Sequence, residues 1–99
     1  MAYDMTAALL VANEDQYAQY RAEIAPLLEK AGGAFRYDFR IAATLKSEVD
    51  HEINRLFILR FPDRAAKERF FADPQYRAIR ARLFEPAAPR MTVVGEGEA

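Results

Sequence analysis

The sequence predicts an α+β domain with the element order βαββαβ, in which helices cover one face of a four-stranded antiparallel sheet. One reason is that the spacing of apolar residues alternates along the chain between a period of 2 and a period of 3.6. A second is that cap residues, glycines and prolines separate these segments. A third is that a chain of 99 residues, of which 52% are apolar, is long enough to form one hydrophobic core and too short for two. We therefore expect residues 1–99 to form a single domain.

The first two predicted elements are a buried strand and an amphipathic helix. Residues 5–12 are apolar at both alternating positions, which indicates a central strand covered on both faces. Asn13 follows as a helix cap, because its side chain can accept the amide hydrogens of the first turn. Tyr17 and Tyr20 belong to an apolar stripe with steps of three and four residues. Gly32-Gly33 then ends the helix.

The next two strands are predicted as an antiparallel hairpin. Residues 35–41 alternate between aromatic or aliphatic and charged side chains, and residues 53–61 form a second apolar run. A pairing that places Asp38 opposite Arg60 brings opposite charges together across the strands. In this register, the odd-numbered residues of both strands share one side of the sheet.

Two further helices and a last strand complete the pattern. Asp63 is predicted to cap the second helix, and Asp73-Pro74 to start a third, short helix before a break at 85–89. Residues 91–95 read as the fourth strand, and residues 95–99 as a flexible acidic tail. This is the ferredoxin-like order, which arranges the strands as 4-1-3-2 with the first and third in the centre.

The sheet face opposite the helices predicts self-association. Leu10, Leu56 and Ile58 would point to this face and leave an apolar patch uncovered. A second copy of the sheet is the simplest cover, so we expect a twofold homodimer that pairs through this face.

Several short motifs resemble a known family. They are Tyr17 and Tyr20, Gly32-Gly33 before an aromatic strand, Phe61-Pro62, and the block Phe70-Phe71-Ala72-Asp73-Pro74-Gln75-Tyr76 ahead of Arg80. In order and spacing they are similar to the domain-of-unknown-function family thirteen-thirty, within the dimeric α/β-barrel superfamily. The resemblance implies a ferredoxin-like subunit that pairs through its sheet, and it implies no catalytic set.

Composition and charge argue against several classes of function. The chain has 14 basic and 15 acidic residues, no cysteine and one histidine. Its basic residues occur at helical spacing without the interleaved aromatic residues of a nucleic-acid surface, so we expect no nucleic-acid partner. No apolar run is long enough to cross a membrane, and we expect a cytoplasmic protein. No metal site and no cofactor are expected, because defining ligand spacings and phosphate-binding loops are absent.

The candidate site is the space between sheet and helices. Superfamily relatives often hold small organic ligands there, among them cofactor-free monooxygenases and small-ring isomerases. The predicted register directs Arg55 and Tyr37 to this side, and the helices contribute Tyr17, Tyr20 and Tyr76. An arginine among aromatic side chains would hold a carboxylate or phenolate, and a tyrosine could orient or protonate it.

These residues leave two functions open. In the first, the protein is a homodimer that binds a small apolar or anionic organic molecule, with Tyr37 and the single histidine His51 as catalytic candidates. In the second, it is a non-catalytic dimerisation or stress-related module. Whether the protein is an enzyme does not follow from the sequence.

Overall fold

The predicted element order is confirmed by the computed structural model, which describes residues 1–99. The strands are β1 (Tyr3–Leu10), β2 (Ala34–Arg40), β3 (Arg55–Phe61) and β4 (Arg90–Glu98). The helices are α1 (Glu14–Lys30), α2 (Arg64–Ala72), α3 (Pro74–Ile79) and α4 (Glu85–Ala87), with a π-helical segment (Arg80–Phe84) between the last two. The sheet is antiparallel with the order β2-β3-β1-β4, which is the predicted 4-1-3-2 read from the other edge.

The predicted helix starts and the glycine end of α1 are confirmed. Asn13, Asp63 and Asp73 each accept, through the side chain, a backbone N–H two or three residues downstream at 2.7–3.0 Å. Gly32 has φ +77°, a left-handed conformation that other residues adopt only at a cost. Gly33 lies so close to the sheet that a side chain there would approach the Arg60 carbonyl oxygen at 3.0 Å.

The third helix extends further than the sequence predicts. Instead of breaking at 85–89, the chain continues through the π-helical segment, where the Glu85 N–H donates to the Arg80 carbonyl five residues back. Pro86 then falls in the first turn of α4, a position that tolerates proline. The Ala87 carbonyl accepts the N–H of Ala12 at 2.7 Å, which ties this end of the helical layer to the end of β1.

The predicted register of β2 on β3 is wrong. Ala34, and not Asp38, lies opposite Arg60, and a bulge between Phe35 and Tyr37 then inserts one residue, which places Asp38 opposite Phe57. The bulge keeps the Phe35 ring on the helix-covered side, where it packs edge-on against Phe57 with the ring centres 5.5 Å apart. It also reverses the faces of the residues that follow: Asp38 turns toward the helices and Tyr37 away from them.

The fourth strand is longer than predicted. It runs through Glu98 and not to Gly95, so most of the segment expected to be an acidic tail pairs with β1. The Tyr3 hydroxyl donates to the Glu96 carboxylate at 2.7 Å, and the Ala99 N–H donates to the Ala2 carbonyl at 2.9 Å. Both contacts hold this end of the chain beside the start of β1, where the sequence predicted a flexible tail.

One face of the sheet carries the core and the other stays open. The buried apolar residues lie between the helices and the covered face. The opposite face, called the open sheet face below, consists of side chains that the pairing places on one side: Thr6, Ala8, Leu10, Tyr37, Phe39, Leu56 and Ile58. At one end of it, Arg60 pairs with Asp4 through two hydrogen bonds of 2.7 and 2.9 Å.

The connection between β2 and β3, residues 41–54, lies over the other end of the open sheet face and is called the strap below. Among the helices, none combines the length and the apolar character required to cross a membrane.

Candidate functional site

Four of the predicted site residues meet in one buried array under the helices. The Arg55 guanidinium carbon lies 4.7 Å from the centre of the Tyr17 ring, and the Tyr17 and Tyr20 rings are 5.8 Å apart. The Tyr20 and Tyr76 hydroxyls are 2.8 Å apart and share a hydrogen bond. All four residues are buried. Arg55, Tyr17, Tyr20 and Tyr76 are called the tyrosine array below.

A second arginine closes the far end of this array. Arg80 donates from Nη1 to the Tyr76 hydroxyl at 3.3 Å, and its guanidinium carbon is 4.8 Å from the centre of the Phe84 ring. Phe84 in turn packs on Tyr20 at 4.8 Å between ring centres. Both Arg80 and Phe84 belong to the π-helical segment, a feature that often accompanies functional sites. In the sequence, the contact between Arg80 and Tyr76 could have been found from their spacing, because Arg80 stands one helical turn after Tyr76.

The Arg55 end of the array is an ion cluster. Arg55 Nε lies 3.3 Å from Asp38 Oδ1, and its Nη1 lies 3.4 Å from Glu14 Oε2. Arg21 Nη1 approaches Asp38 Oδ2 at 2.8 Å. Asp38 and Glu14 were not predicted as site residues, because the predicted register had turned Asp38 to the open sheet face. Arg55 is therefore compensated by carboxylates within the chain.

This cluster keeps unused hydrogen-bonding capacity. The Tyr17 hydroxyl, Arg21 Nε, Asp38 Oδ1 and Arg55 Nε are all buried without a hydrogen-bond partner in the chain. Because buried polar atoms in folded proteins are nearly always paired, four such atoms in one place mark it as unusual. The carboxylate and the guanidinium groups still attract each other at these distances.

Burial governs the charge of the tyrosines. Desolvation strongly raises the pKa of Tyr17, and the Asp38 carboxylate adds to this effect. Desolvation also strongly raises the pKa of Tyr20, with a further contribution from the Tyr76 hydroxyl. Both side chains therefore remain neutral near physiological pH, where each hydroxyl can donate a hydrogen bond and does not act as a phenolate base.

A cleft of about 750 Å³ opens beside Tyr76 and Arg80, between α2, the π-helical segment and strands β1 and β4. It is called the helix-side cleft below. Its apolar lining includes Met5, Phe71 and Met91.

The cations of the helix-side cleft differ in their partners. Lys67 is held by the Glu96 carboxylate at 2.8 Å. Arg77 makes no ion pair, whereas Arg80 forms an ion pair with Glu85, which also lines the cleft; the distance of 3.8 Å from Nε to Oε2 is too long for a hydrogen bond. Two guanidinium groups of this cleft thus have free donors, whereas Arg55 does not border it.

The other two predicted residues lie elsewhere. Tyr37 was expected beside Arg55, and this is wrong: the bulge in β2 places it on the open sheet face. There it stacks on Phe39 with the ring centres 5.5 Å apart, and the two side chains are 47% and 50% exposed.

His51 lies in the strap, away from the tyrosine array. Its Nδ1 is 2.9 Å from the Glu52 carbonyl oxygen, and its Nε2 is 2.8 Å from the Thr92 hydroxyl. Because a carbonyl can only accept, His51 Nδ1 donates to the Glu52 carbonyl oxygen. No group of three or more histidine, aspartate and glutamate side chains is arranged to hold a metal ion.

Comparison with solved structures supports the fold. A protein of unknown function from Rhodopseudomonas palustris superposes with a TM-score of 0.78 at 20% identity, over 99% of this chain and 82% of that protein. A dimeric ferredoxin-like protein of unknown function from Jannaschia sp. gives a TM-score of 0.68 at 14% identity, over 100% of both chains. Hydroxynitrile lyase from Passiflora edulis gives 0.68 at 16% identity, over 97% of this chain and 91% of the lyase.

These likenesses establish a ferredoxin-like fold, which by itself does not specify an activity. No curated protein matches the chain. The sequence resemblance carried by the tyrosines of α1, the paired glycines and the block before Arg80 is confirmed by a match that extends over residues 2–97. The chain therefore belongs to the family described as domain of unknown function (DUF1330).

Proposed function

We propose that the protein is a homodimer that binds a small organic anion with an apolar body in the helix-side cleft of each subunit. The observation that carries this proposal is the position of Arg80. Its guanidinium group borders a cleft lined by apolar and charged side chains, has donors without a hydrogen-bonded carboxylate, and is oriented by a hydrogen bond to the buried Tyr76 hydroxyl.

The polar end of the ligand would bind Arg80. A guanidinium group presents five N–H donors in a planar fork that matches a carboxylate. In Arg80, one nitrogen contacts Tyr76 and no carboxylate of the chain lies within hydrogen-bond distance, which leaves donors for a ligand. The side chain is 30% exposed, so its head is accessible from the mouth of the cleft. Arg77 adds a second positive charge without an ion-pair partner.

The apolar end of the ligand would contact Met5, Phe71 and Met91. A volume of about 750 Å³ falls within the range of small-molecule sites, which is roughly 300–1,000 Å³. Methionine and phenylalanine side chains favour an aliphatic or aromatic body over a sugar or a nucleotide. The ligand class is thus an aromatic or branched aliphatic carboxylic acid.

The remainder of the tyrosine array would position this site. The Tyr20 hydroxyl shares a hydrogen bond with the Tyr76 hydroxyl, and the Tyr17 ring packs on Tyr20. The Arg55 guanidinium group lies over the Tyr17 ring and completes this support. A neutral hydroxyl next to a guanidinium group can also stabilise a developing oxyanion. This is the chemistry that a cofactor-free isomerase or monooxygenase would require, and it would assign a role to Tyr76 that does not depend on His51 or Tyr37.

The homodimer is supported by the open sheet face. Strand β3 places Ile58 there, and the Tyr37–Phe39 pair extends the apolar surface to the edge strand. Such a contiguous apolar surface is uncommon on a monomer. A structural neighbour from Jannaschia sp. is described as dimeric.

A thermal-shift screen of aromatic and aliphatic carboxylates, followed by calorimetric titration, tests the ligand site. We expect one carboxylate per chain to stabilise the wild type and to lose this effect in Arg80→Gln. Arg69→Gln is the matched control, because Arg69 lies on α2 without an ion pair and outside the helix-side cleft. Equal stabilisation of Arg80→Gln and the wild type would refute the proposal.

A second candidate is a non-catalytic dimerisation module. The half-exposed, stacked Tyr37–Phe39 pair favours it, since such a pair serves association without any pocket. A dimer that responds to no carboxylate in the screen would favour this second function.

A further inference from the structure

We propose a second small-molecule site, between the strap and the open sheet face, that takes a neutral and predominantly apolar molecule. The site lies on the opposite face of the sheet from the helix-side cleft, and it does not depend on the proposed carboxylate site. It is a cleft of about 670 Å³, again within the roughly 300–1,000 Å³ range of small-molecule sites.

The strap is anchored at its base. The Ile41 N–H donates to the Asn54 carbonyl at 2.8 Å, and the Asn54 N–H donates to the Leu9 carbonyl at 3.0 Å. The Asn54 side chain accepts the Val11 N–H at 2.8 Å and donates to the Val11 carbonyl at 2.9 Å. These bonds join both ends of the strap to each other and to the end of β1.

The strap is also anchored on the far side, along β4. His51 pairs with the Thr92 hydroxyl at 2.8 Å, and Arg90 donates to Asp50 at 3.1 Å. The strap therefore reaches from the end of β3 to β4 across the sheet. Anchors on both sides keep the segment in place while a gap stays open beneath it, because they prevent it from either detaching or sliding.

The walls of the gap are mostly apolar, and the polar members are Thr44, Lys46, Ser47, Glu48 and Thr92. Ala8 and Leu56 form the floor from the sheet, and Ile41, Val49 and Ile53 contribute from the strap. Ala8, whose side chain is small, lies in this floor on the central strand β1, where a larger residue would fill part of the gap. Apolar surface of this kind gains free energy when an apolar molecule covers it and displaces water.

The charges around the gap predict a neutral ligand. Lys46 and Glu48 line it with opposite signs and are both exposed, so they cancel. The Thr92 hydroxyl already pairs with His51. No guanidinium group lines this gap, in contrast to the helix-side cleft, and a carboxylate would lose its hydration without compensation.

A small molecule suits this end of the face better than a second protein chain. Two packed sheets lie about 10 Å apart. The strap already occupies that layer above Ala8 and Leu56, so a second sheet is kept away from this end. A second copy would then contact the part of the open sheet face around Ile58 and Tyr37.

The test is a fluorescence titration with N-phenyl-1-naphthylamine, a neutral apolar probe. We expect one probe per chain to bind the wild type. Ala8→Leu fills the floor of the gap, and it should weaken binding about tenfold or more. Ala81→Leu is the matched control, because Ala81 lines the helix-side cleft and should leave probe binding unchanged.

Val94→Lys is a second variant of the same gap, which keeps the test decisive if Ala8→Leu does not fold. Val94 lines the gap but is 64% exposed, so the variant should fold, and the added charge should weaken probe binding about tenfold or more. Unchanged binding by folded Val94→Lys would overturn the proposal. Displacement of the probe by a carboxylate that needs Arg80, or loss of probe binding as protein concentration rises and dimer forms, would also overturn it.

Discussion

Replacing Asp38 by asparagine removes the charge that compensates two arginines under α1. The Asp38 carboxylate is 2.8 Å from Arg21 Nη1 and 3.3 Å from Arg55 Nε. The Asp38 and Arg55 side chains are only 13% and 11% exposed. Asparagine has nearly the same shape, so the variant changes the charge and leaves the packing in place. We expect it to destabilise the fold through the uncompensated Arg55.

The magnitude follows from burial. Removing one partner of a buried ion pair costs about 3–5 kcal/mol, because the other charge is left without compensation. Here Glu14 lies 3.4 Å from Arg55 at a half-exposed position and retains part of the attraction. We therefore expect a loss of about 2–3 kcal/mol in the free energy of unfolding. For a domain of this size, this corresponds to a fall of roughly 8–24 °C in Tm.

Urea unfolding followed by circular dichroism measures this loss. Glu14→Gln is the control, since an exposed partner contributes only about 0–1 kcal/mol. The double variant Asp38→Asn/Arg55→Met should regain at least part of the lost stability, because it removes the charge that Asp38→Asn leaves uncompensated. The reasoning is refuted if Asp38→Asn costs no more than Glu14→Gln, or if the double variant costs the sum of its two single changes.

Three further predictions concern other parts of the molecule. Gly32→Ala should cost about 1–2 kcal/mol in urea unfolding because its φ is +77°, whereas Gly97→Ala, with open space around it, should cost much less; equal costs would contradict this. Hydrogen bonds from Arg60 lower the pKa of Asp4 in the folded protein. The pair therefore stabilises the fold above the carboxyl pKa of the unfolded chain, and this stabilisation is lost as the pH falls through the lower pKa of the folded protein. Asp4→Asn should therefore flatten the acid limb of stability against pH, and an unchanged limb would count against the pair. Ile58→Asp should convert the dimer into a monomer in light scattering, and a dimer that persists would exclude the open sheet face as the interface.

Most of the architecture could be predicted because it depends on local signals. The helix starts at Asn13, Asp63 and Asp73 require only a side chain and the amides of the next turn. The burial of Tyr17 and Tyr20 follows from their helical spacing. Such interactions join residues that are a few positions apart, so they are visible in the sequence.

The bulge in β2 could not be predicted in the same way. One inserted residue is tolerated locally in an edge strand, so the register is decided by distant partners. Phe35 packs on Phe57, and Asp38 meets Arg21 and Arg55, only when the bulge is present. The wrong register exchanged the sides of Tyr37 and Asp38. It therefore placed Tyr37 in the predicted site, where it does not lie, and left out Asp38, which lies beside Arg55.

The sequence by itself determined the element order, the strand order and the inward-facing positions of Tyr17, Tyr20 and Tyr76, because periodicity and capping act over short separations along the chain. Only the tertiary structure decided that Asp38 compensates Arg55, that Arg80 completes the tyrosine array, and that the strap encloses a gap on the open sheet face. These features join residues tens of positions apart or depend on a local departure from regular geometry. The contacts that stabilise these features form only when the helices pack on the sheet, so no short stretch of the sequence predicts them.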